Sequence, residues 1–180
     1  MTRVTLGLGS NTDARENLAS CLDALLLQFQ DLALSSVFCS RADGAGQHSS
    51  AAAPYLNMAV SFETDQSLVD LYDFVKQLER KHGRNAVDEE QGRVSLDLDI
   101  LTFGALTGKH HGLQLPRPQI LHSAYVLWPL SQVAGKQRHP QAQANYATLW
   151  KNFSGDRSDI KPVDFEWHGR RLSSQDRAHP

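Results

Sequence analysis

Cysteine is scarce in this chain. The two present, Cys21 and Cys39, are too few for a disulfide framework and lack the paired spacing of a metal site. They read as reduced thiols, as expected of a cytoplasmic protein. Long apolar runs are missing too. No stretch approaches the ~20 residues that a bilayer-crossing helix needs, so no membrane partner is expected. The opening Met1-Thr2-Arg3-Val4-Thr5-Leu6-Gly7-Leu8-Gly9 runs straight into a strand pattern and resembles no signal peptide. Charge of one sign is also not in excess. Eighteen Lys and Arg stand against 20 Asp and Glu, for a net charge of −2. That balance provides no general attraction to nucleic acid or to an anionic membrane. A phosphate-binding role would have to come from a local cluster. Internal repeats and low-complexity tracts are absent.

What is present is enough for one sizeable core. The 180 residues have the charged and apolar content of a globular domain. Residues 3–8 alternate as a strand, and Gly9-Ser10-Asn11 reads as the turn that ends it. Thr12 or Asp13 can cap a helix carrying Leu18, Leu22, Leu25, Leu26 and Phe29 at helical spacing. Residues 34–40 read as a second strand, 41–53 as a Gly-, Ala- and Ser-rich loop, and Tyr55 to Phe62 as a third strand. Ser67 can cap a second helix, with Leu68, Leu71, Tyr72, Val75 and Leu78 on its apolar side and Gly83 at its stop. Residues 84–93 read as a polar loop and 94–103 as a fourth strand. The order β-α-β-β-α-β specifies an α+β ferredoxin-like sandwich, an antiparallel sheet with both helices on one face. A hairpin with His110-His111 and a short helix around 122–133 follow. The domain is expected to span 1–150, with 151–180 a polar C-terminal extension rather than an independent domain.

The densest chemistry lies in Ser95-Leu96-Asp97-Leu98-Asp99-Ile100-Leu101. Residues two apart on a strand share a face, so Asp97 and Asp99 project side by side, opposite Leu96, Leu98 and Ile100. Two adjacent anions call for a positive partner. A hard divalent cation such as Mg²⁺ suits them, since it takes one or two carboxylates plus phosphate oxygens and water. The other reading is a solvated strand face. Asn57 offers one acceptor and two donors. It either meets a ligand edge or satisfies backbone at a strand end. Tyr55 and Tyr125 read as core aromatics or as pocket walls. Arg84 reads as a phosphate fork or as a cation at a helix C-terminus.

Several segments, taken in order, resemble the 6-hydroxymethyl-7,8-dihydropterin pyrophosphokinase family over about residues 3–135. They are Leu8-Gly9-Ser10-Asn11 with Arg15-Glu16-Asn17-Leu18, Pro54-Tyr55-Leu56-Asn57-Met58-Ala59-Val60, and Leu78-Glu79 with Gly83-Arg84. Gly92 to Leu101, and Leu115-Pro116-Arg117-Pro118 with Tyr125 to Leu130, complete the set. The resemblance implies an enzyme of folate biosynthesis that moves pyrophosphate from ATP to a reduced pterin and releases AMP. It implies two Mg²⁺ ions at Asp97 and Asp99, with ATP and the pterin as small-molecule partners. It places Asn57, Tyr55 and Tyr125 at the pterin. It places Glu79, Arg84, Arg117 and Ile100 at the nucleotide. It assigns catalysis to Asp97, Asp99, Arg84 and Arg93.

The chain also departs from that pattern. Asn85-Ala86-Val87-Asp88-Glu89-Glu90-Gln91 is acidic where the family loop is basic, and Gln91 stands where the family has a Trp. Val94 replaces an expected Arg, and Arg93 is one residue early, a shift that flips a side chain on a strand. Arg41 to Gly46, Gly112 and Ser123 also differ from the pattern. These changes leave two alternatives open. One is a catalytically impaired homologue that still binds pterin or nucleotide. The other is a phosphotransferase for another small heterocyclic alcohol.

Overall fold

The computed structural model describes residues 1–41 and 53–175. The loop reading of 41–53 therefore lies almost wholly outside the described residues. The alternating opening forms β1 (Thr2–Ser10), the central strand of the main sheet. It is followed by α1 (Ala14–Gln28), β2 (Ala33–Leu34), β3 (Phe38–Ser40), β4 (Tyr55–Thr64), α2 (Leu68–Lys81), a short α3 (Ala86–Glu90) and β5 (Asp97–Phe103). The sheet runs β5-β1-β4-β3, with β2 beside β4, and its pairings are antiparallel. This is the ferredoxin-like α+β arrangement that the β-α-β-β-α-β order implies.

The two faces of the sheet differ. Alternation sends Val4, Leu6 and Leu8 of β1, Met58, Val60 and Phe62 of β4, and Leu98 and Ile100 of β5 to one side. There they meet Leu18, Leu22 and Leu25 of α1 and Leu71, Val75 and Leu78 of α2. Each such side chain, fully buried, contributes about 1.5–3 kcal/mol. A hairpin, β6 (Gly108–His110) and β7 (Leu113–Leu115), leads to a 3-10 turn at Pro118–Leu121 and then α4 (Ala124–Ala134). Helix α4 packs on the opposite face. Its Leu127 and Leu130 join Leu101, Ile120 and Tyr146 in a second apolar cluster.

Local signals held at some ends and gave way at others. Ser67 Oγ accepts from Asp70 N, as a helix cap should. Gly83, at φ +81°, ends the following turn. Asp13 precedes α1 in the left-handed region, φ 44°, and its side chain makes no capping bond. The strand read at 34–40 is two pieces: Ser35 N still donates to Ala59 O, but Ser35 Oγ takes the Ala59 N–H, and Ser36 N and Val37 N turn to Gln132 Oε1 and Ser173 Oγ. The loop read at 84–93 contains α3, capped by Asn85 Oδ1. The fourth strand begins at Asp97 rather than 94, since Val94 and Ser95 bond to Asn11 and Ser10 instead of to a ladder. After α5 (Tyr146–Lys151), β8 (Lys161–Pro162) pairs with β3 at the sheet edge, and β9 (Phe165–Trp167) pairs with β10 (Arg170–Ser173). Val163 and Phe165 enter the first core. Among the described residues no helix is long and apolar enough to cross a membrane.

Candidate active site

Register builds the site. Gly9 on β1 lies between Asp97 on β5 and Asn57 on β4, and Gly7 lies between Asp99 and Ala59. All six residues share the face opposite α1 and α2. Two glycines on the central strand leave the middle of that face without side chains, and the result is a pocket of about 220 Å³. Its walls include Tyr55, Asn57, Asp97, Asp99 and Leu101 from the sheet, and Tyr125 and Val126 from α4. Ser40 and Arg41, at the end of β3, close one side. A concave slot where aromatic walls and a few polar groups converge is the ordinary form of a small-molecule site.

The polar atoms are held in place. Asn57 is 6% exposed, and its Nδ2 donates to Ser40 Oγ at 2.8 Å. Its Oδ1 stands over Gly9. Asp97 accepts from Arg84 Nη1, and Asp99 accepts from Arg117 Nη2 at 2.7 Å. Burial pushes the Asp99 carboxyl up from its ordinary value. The Asp97 charge adds to that, and Arg117 opposes it. Burial likewise raises the Tyr55 phenol, and the Asp97 charge raises it further. Arg117 Nε is buried and donates to nothing among the described residues.

Behind the pocket, Glu79 ties α2, β5 and the segment after α2 together. It is 3% exposed on the last turn of α2. Its Oε1 accepts from Leu98 N on β5 at 2.8 Å and from Arg84 Nη1 at 2.6 Å, and its Oε2 accepts from Lys76 at 2.8 Å. A buried carboxylate with three donors is satisfied, and it fixes Arg84 next to Asp97. The guanidinium is raised above its ordinary value: burial acts against its charge, but Glu89, Asp97 and Glu79 outweigh burial. Asn11 anchors the other approach to β5. Its Oδ1 accepts from Val94 N and its Nδ2 donates to Gly92 O, each at 2.7 Å, while Ser10 Oγ donates to Ser95 O at 2.6 Å.

The residues expected at the site are therefore brought together in part. Asp97, Asp99, Tyr55, Asn57 and Tyr125 line one pocket, and Arg84 and Arg117 bond to its two carboxylates. Three others stand elsewhere. Ile100, 2% exposed, points into the core on the helix-covered face, as strand alternation requires, so its side chain cannot line the pocket. Glu79 is enclosed behind the sheet edge. Arg93 is exposed and its guanidinium bonds to Asp88 on α3, outside the pocket wall. Sequence reasoning missed Gly7, Gly9, Ser40 and Arg41 as pocket residues, and Asn11 as an anchor. The glycines carried a signal in their period-two spacing, which matches that of Asp97 and Asp99.

The donor set fits a hard divalent cation. Two like-charged carboxylates share a face, and in each it is Oδ1 that accepts the arginine hydrogen bond. No group of three or more His, Cys, Asp or Glu that could cage an ion exists among the described residues. Such a pair suits Mg²⁺ that keeps waters and takes further oxygens from a phosphate substrate.

Residues 5–135 match the family model described as 7,8-dihydro-6-hydroxymethylpterin-pyrophosphokinase. A 2-amino-4-hydroxy-6-hydroxymethyldihydropteridine pyrophosphokinase of Pseudomonas aeruginosa is 31% identical over 144 residues, covering 78% of this chain and 86% of that protein. One from Synechocystis is 30% identical over 132 residues, covering 72% and 65%. Among solved structures, an HPPK-DHPS chain in complex with substrates superposes with a TM-score of 0.72 at 10% identity, covering 99% of this chain and 49% of that one. A Plasmodium falciparum HPPK-DHPS chain gives 0.64 at 11% identity, covering 96% and 49%. This chain thus spans about half the length of those solved chains, and their likeness is one of fold.

Proposed function

Because this chain belongs to the 7,8-dihydro-6-hydroxymethylpterin-pyrophosphokinase family, we propose that its pocket is the catalytic site of a folate-biosynthesis pyrophosphokinase. The substrates are ATP and 6-hydroxymethyl-7,8-dihydropterin. The hydroxymethyl oxygen attacks the β-phosphorus of ATP. The bond from that phosphorus to the oxygen bridging the α-phosphorus breaks, AMP leaves, and the hydroxyl proton passes to solvent. The observation that carries this reading is the carboxylate pair Asp97 and Asp99 beside the glycine-floored slot.

The roles follow from what each side chain offers. Tyr55 and Tyr125 present flat faces to a flat heterocycle. The Asn57 amide, positioned by Ser40, matches the amide-like edge of a pterin. Asp97 and Asp99 would hold two Mg²⁺ ions, which supply charge neutralisation at the transferring phosphates. Arg84 and Arg117 would turn from the carboxylates to phosphate oxygens, with the spare Nε–H of Arg117 already unpaired. Glu79 acts as a brace for Arg84 rather than as a contact to the nucleotide. Catalysis of this kind consists of positioning and charge stabilisation.

One observation favours a second reading, a homologue that binds but turns over slowly. Arg84 is shared among three carboxylates and Arg93 is held by Asp88. The test is to incubate the protein with ATP, Mg²⁺ and the hydroxymethyl pterin and to measure AMP. Rapid AMP release supports the first reading. Binding of either substrate without AMP supports the second, and loss of both overturns the ligand assignment.

A further inference from the structure

Arg84 carries more negative charge than one guanidinium can balance. Its Nη1 donates to Glu79 and Asp97, and its Nε donates to Glu89. The three acids differ in how firmly they are held. Glu79 is enclosed and bonded to the Leu98 amide and Lys76. Asp97 belongs to β5 and to the pocket itself. Glu89 sits on α3, a five-residue helix with no buried side chain. The contacts of α3 to the body are mostly charge contacts: Glu89 to Arg84, and Asp88 to Arg93 on the segment just beyond it.

We propose that Glu89 takes the place of a phosphate on Arg84, and so sets the affinity of this site for a nucleoside triphosphate. The inference rests on the reading of the pocket as a nucleotide site. A triphosphate carries about four negative charges and needs the N–H fork of Arg84. It cannot share that fork with three carboxylates. Glu89 is the one whose release breaks no core contact, since its side chain is 40% exposed and its helix buries nothing. An exposed ion pair of this kind is weak enough to be exchanged. The acidic character of 88–90 thus has a specific consequence at residue 89, beyond its general field.

The neighbouring Glu90 separates the two effects. It carries the same charge one residue along, is exposed, and makes no bond to Arg84. The test is isothermal titration of the full chain with Mg²⁺ and a non-hydrolysable ATP analogue, for the wild type, Glu89→Gln and Glu90→Gln. Glu89→Gln is expected to bind about 2- to 5-fold more tightly, the range of one exposed pair released. Glu90→Gln is expected to match the wild type. Unchanged or weaker binding by Glu89→Gln, with measurable wild-type binding, overturns the proposal and leaves the nucleotide site standing. An equal gain in both variants also overturns it, because the effect is then the loop's overall charge. No binding by any of the three overturns the nucleotide reading together with the proposal.

Discussion

Gly9 and Asp97 face each other across the β1–β5 ladder, and the missing side chain of the glycine leaves Asp97 standing beside an open floor. On the other side of Gly9, Asn57 leans over the same space. A Cβ built on Gly9 would lie 3.3 Å from Asn57 Oδ1, 3.7 Å from Tyr55 Cδ1 and 4.0 Å from Asp97 Cβ. The acid, the amide and the aromatic ring converge because the strand between them has nothing to put there.

Gly9→Val should therefore fill the slot and keep the fold. Gly9 lies within a paired strand, where a β-branched residue is at home. The added methyls occupy space that the ligand needs, and pterin binding is expected to weaken roughly 10-fold or more, equivalent to about 1.4 kcal/mol or more. Fluorescence titration with the pterin, beside circular dichroism of the variant, checks it. Wild-type affinity in a folded Gly9→Val protein would remove Gly9 from the pocket floor.

His139 should make the fold acid-sensitive below neutrality. It is 2% exposed, and its Nδ1 accepts from Gln141 N and Ala142 N at 3.1 Å each. Burial lowers its pKa from the ordinary 6.5. Its neutral form is therefore the native one, and the unfolded chain binds the proton more readily. The stability it lends is complete above about pH 6.5 and is lost as pH falls through the depressed native value. The melting temperature of the wild type should drop between pH 7 and pH 5 by more than that of His139→Asn, whose Oδ1 accepts without titrating. Parallel drops in the two proteins would clear His139 of the effect.

Asn11→Ala should loosen the approach to the carboxylates. It removes both 2.7 Å bonds to the 92–94 backbone and leaves the Val94 N–H and the Gly92 carbonyl short of partners. A cost of about 1–3 kcal/mol follows. Urea denaturation measures it, and hydrogen exchange at the Val94 amide localises it. Equal protection of that amide in both proteins would contradict the anchor.

Some of this was legible in the chain because the information is local. Strand alternation put Asp97 and Asp99 on one face and Ile100 on the other, and the spacing of Leu68, Leu71, Val75 and Leu78 placed the core side of α2. The expectation of Ile100 at the nucleotide came from the resemblance, and it runs against this alternation, which puts the side chain in the core. Other features were hidden for an equally physical reason. The 84–93 segment read as loop because its five-residue helix is built on an asparagine cap and acid–arginine bonds, not on apolar periodicity. The strands after 160 are two to four residues long, too short to carry a period.

By itself, the sequence determined the β-α-β-β-α-β order of the core, the two faces of the sheet and the carboxylate pair, since each depends on residues a few positions apart. Only the tertiary structure decided what those carboxylates face. Register across β5, β1 and β4 set Gly7 and Gly9 between the acids and Asn57, and it brought Glu79 behind Arg84 and Arg117 onto Asp99. Those neighbours are separated along the chain by up to 92 residues, from Gly7 to Asp99. Pairing across such distances is chosen by the burial of the whole sheet, not by any local preference.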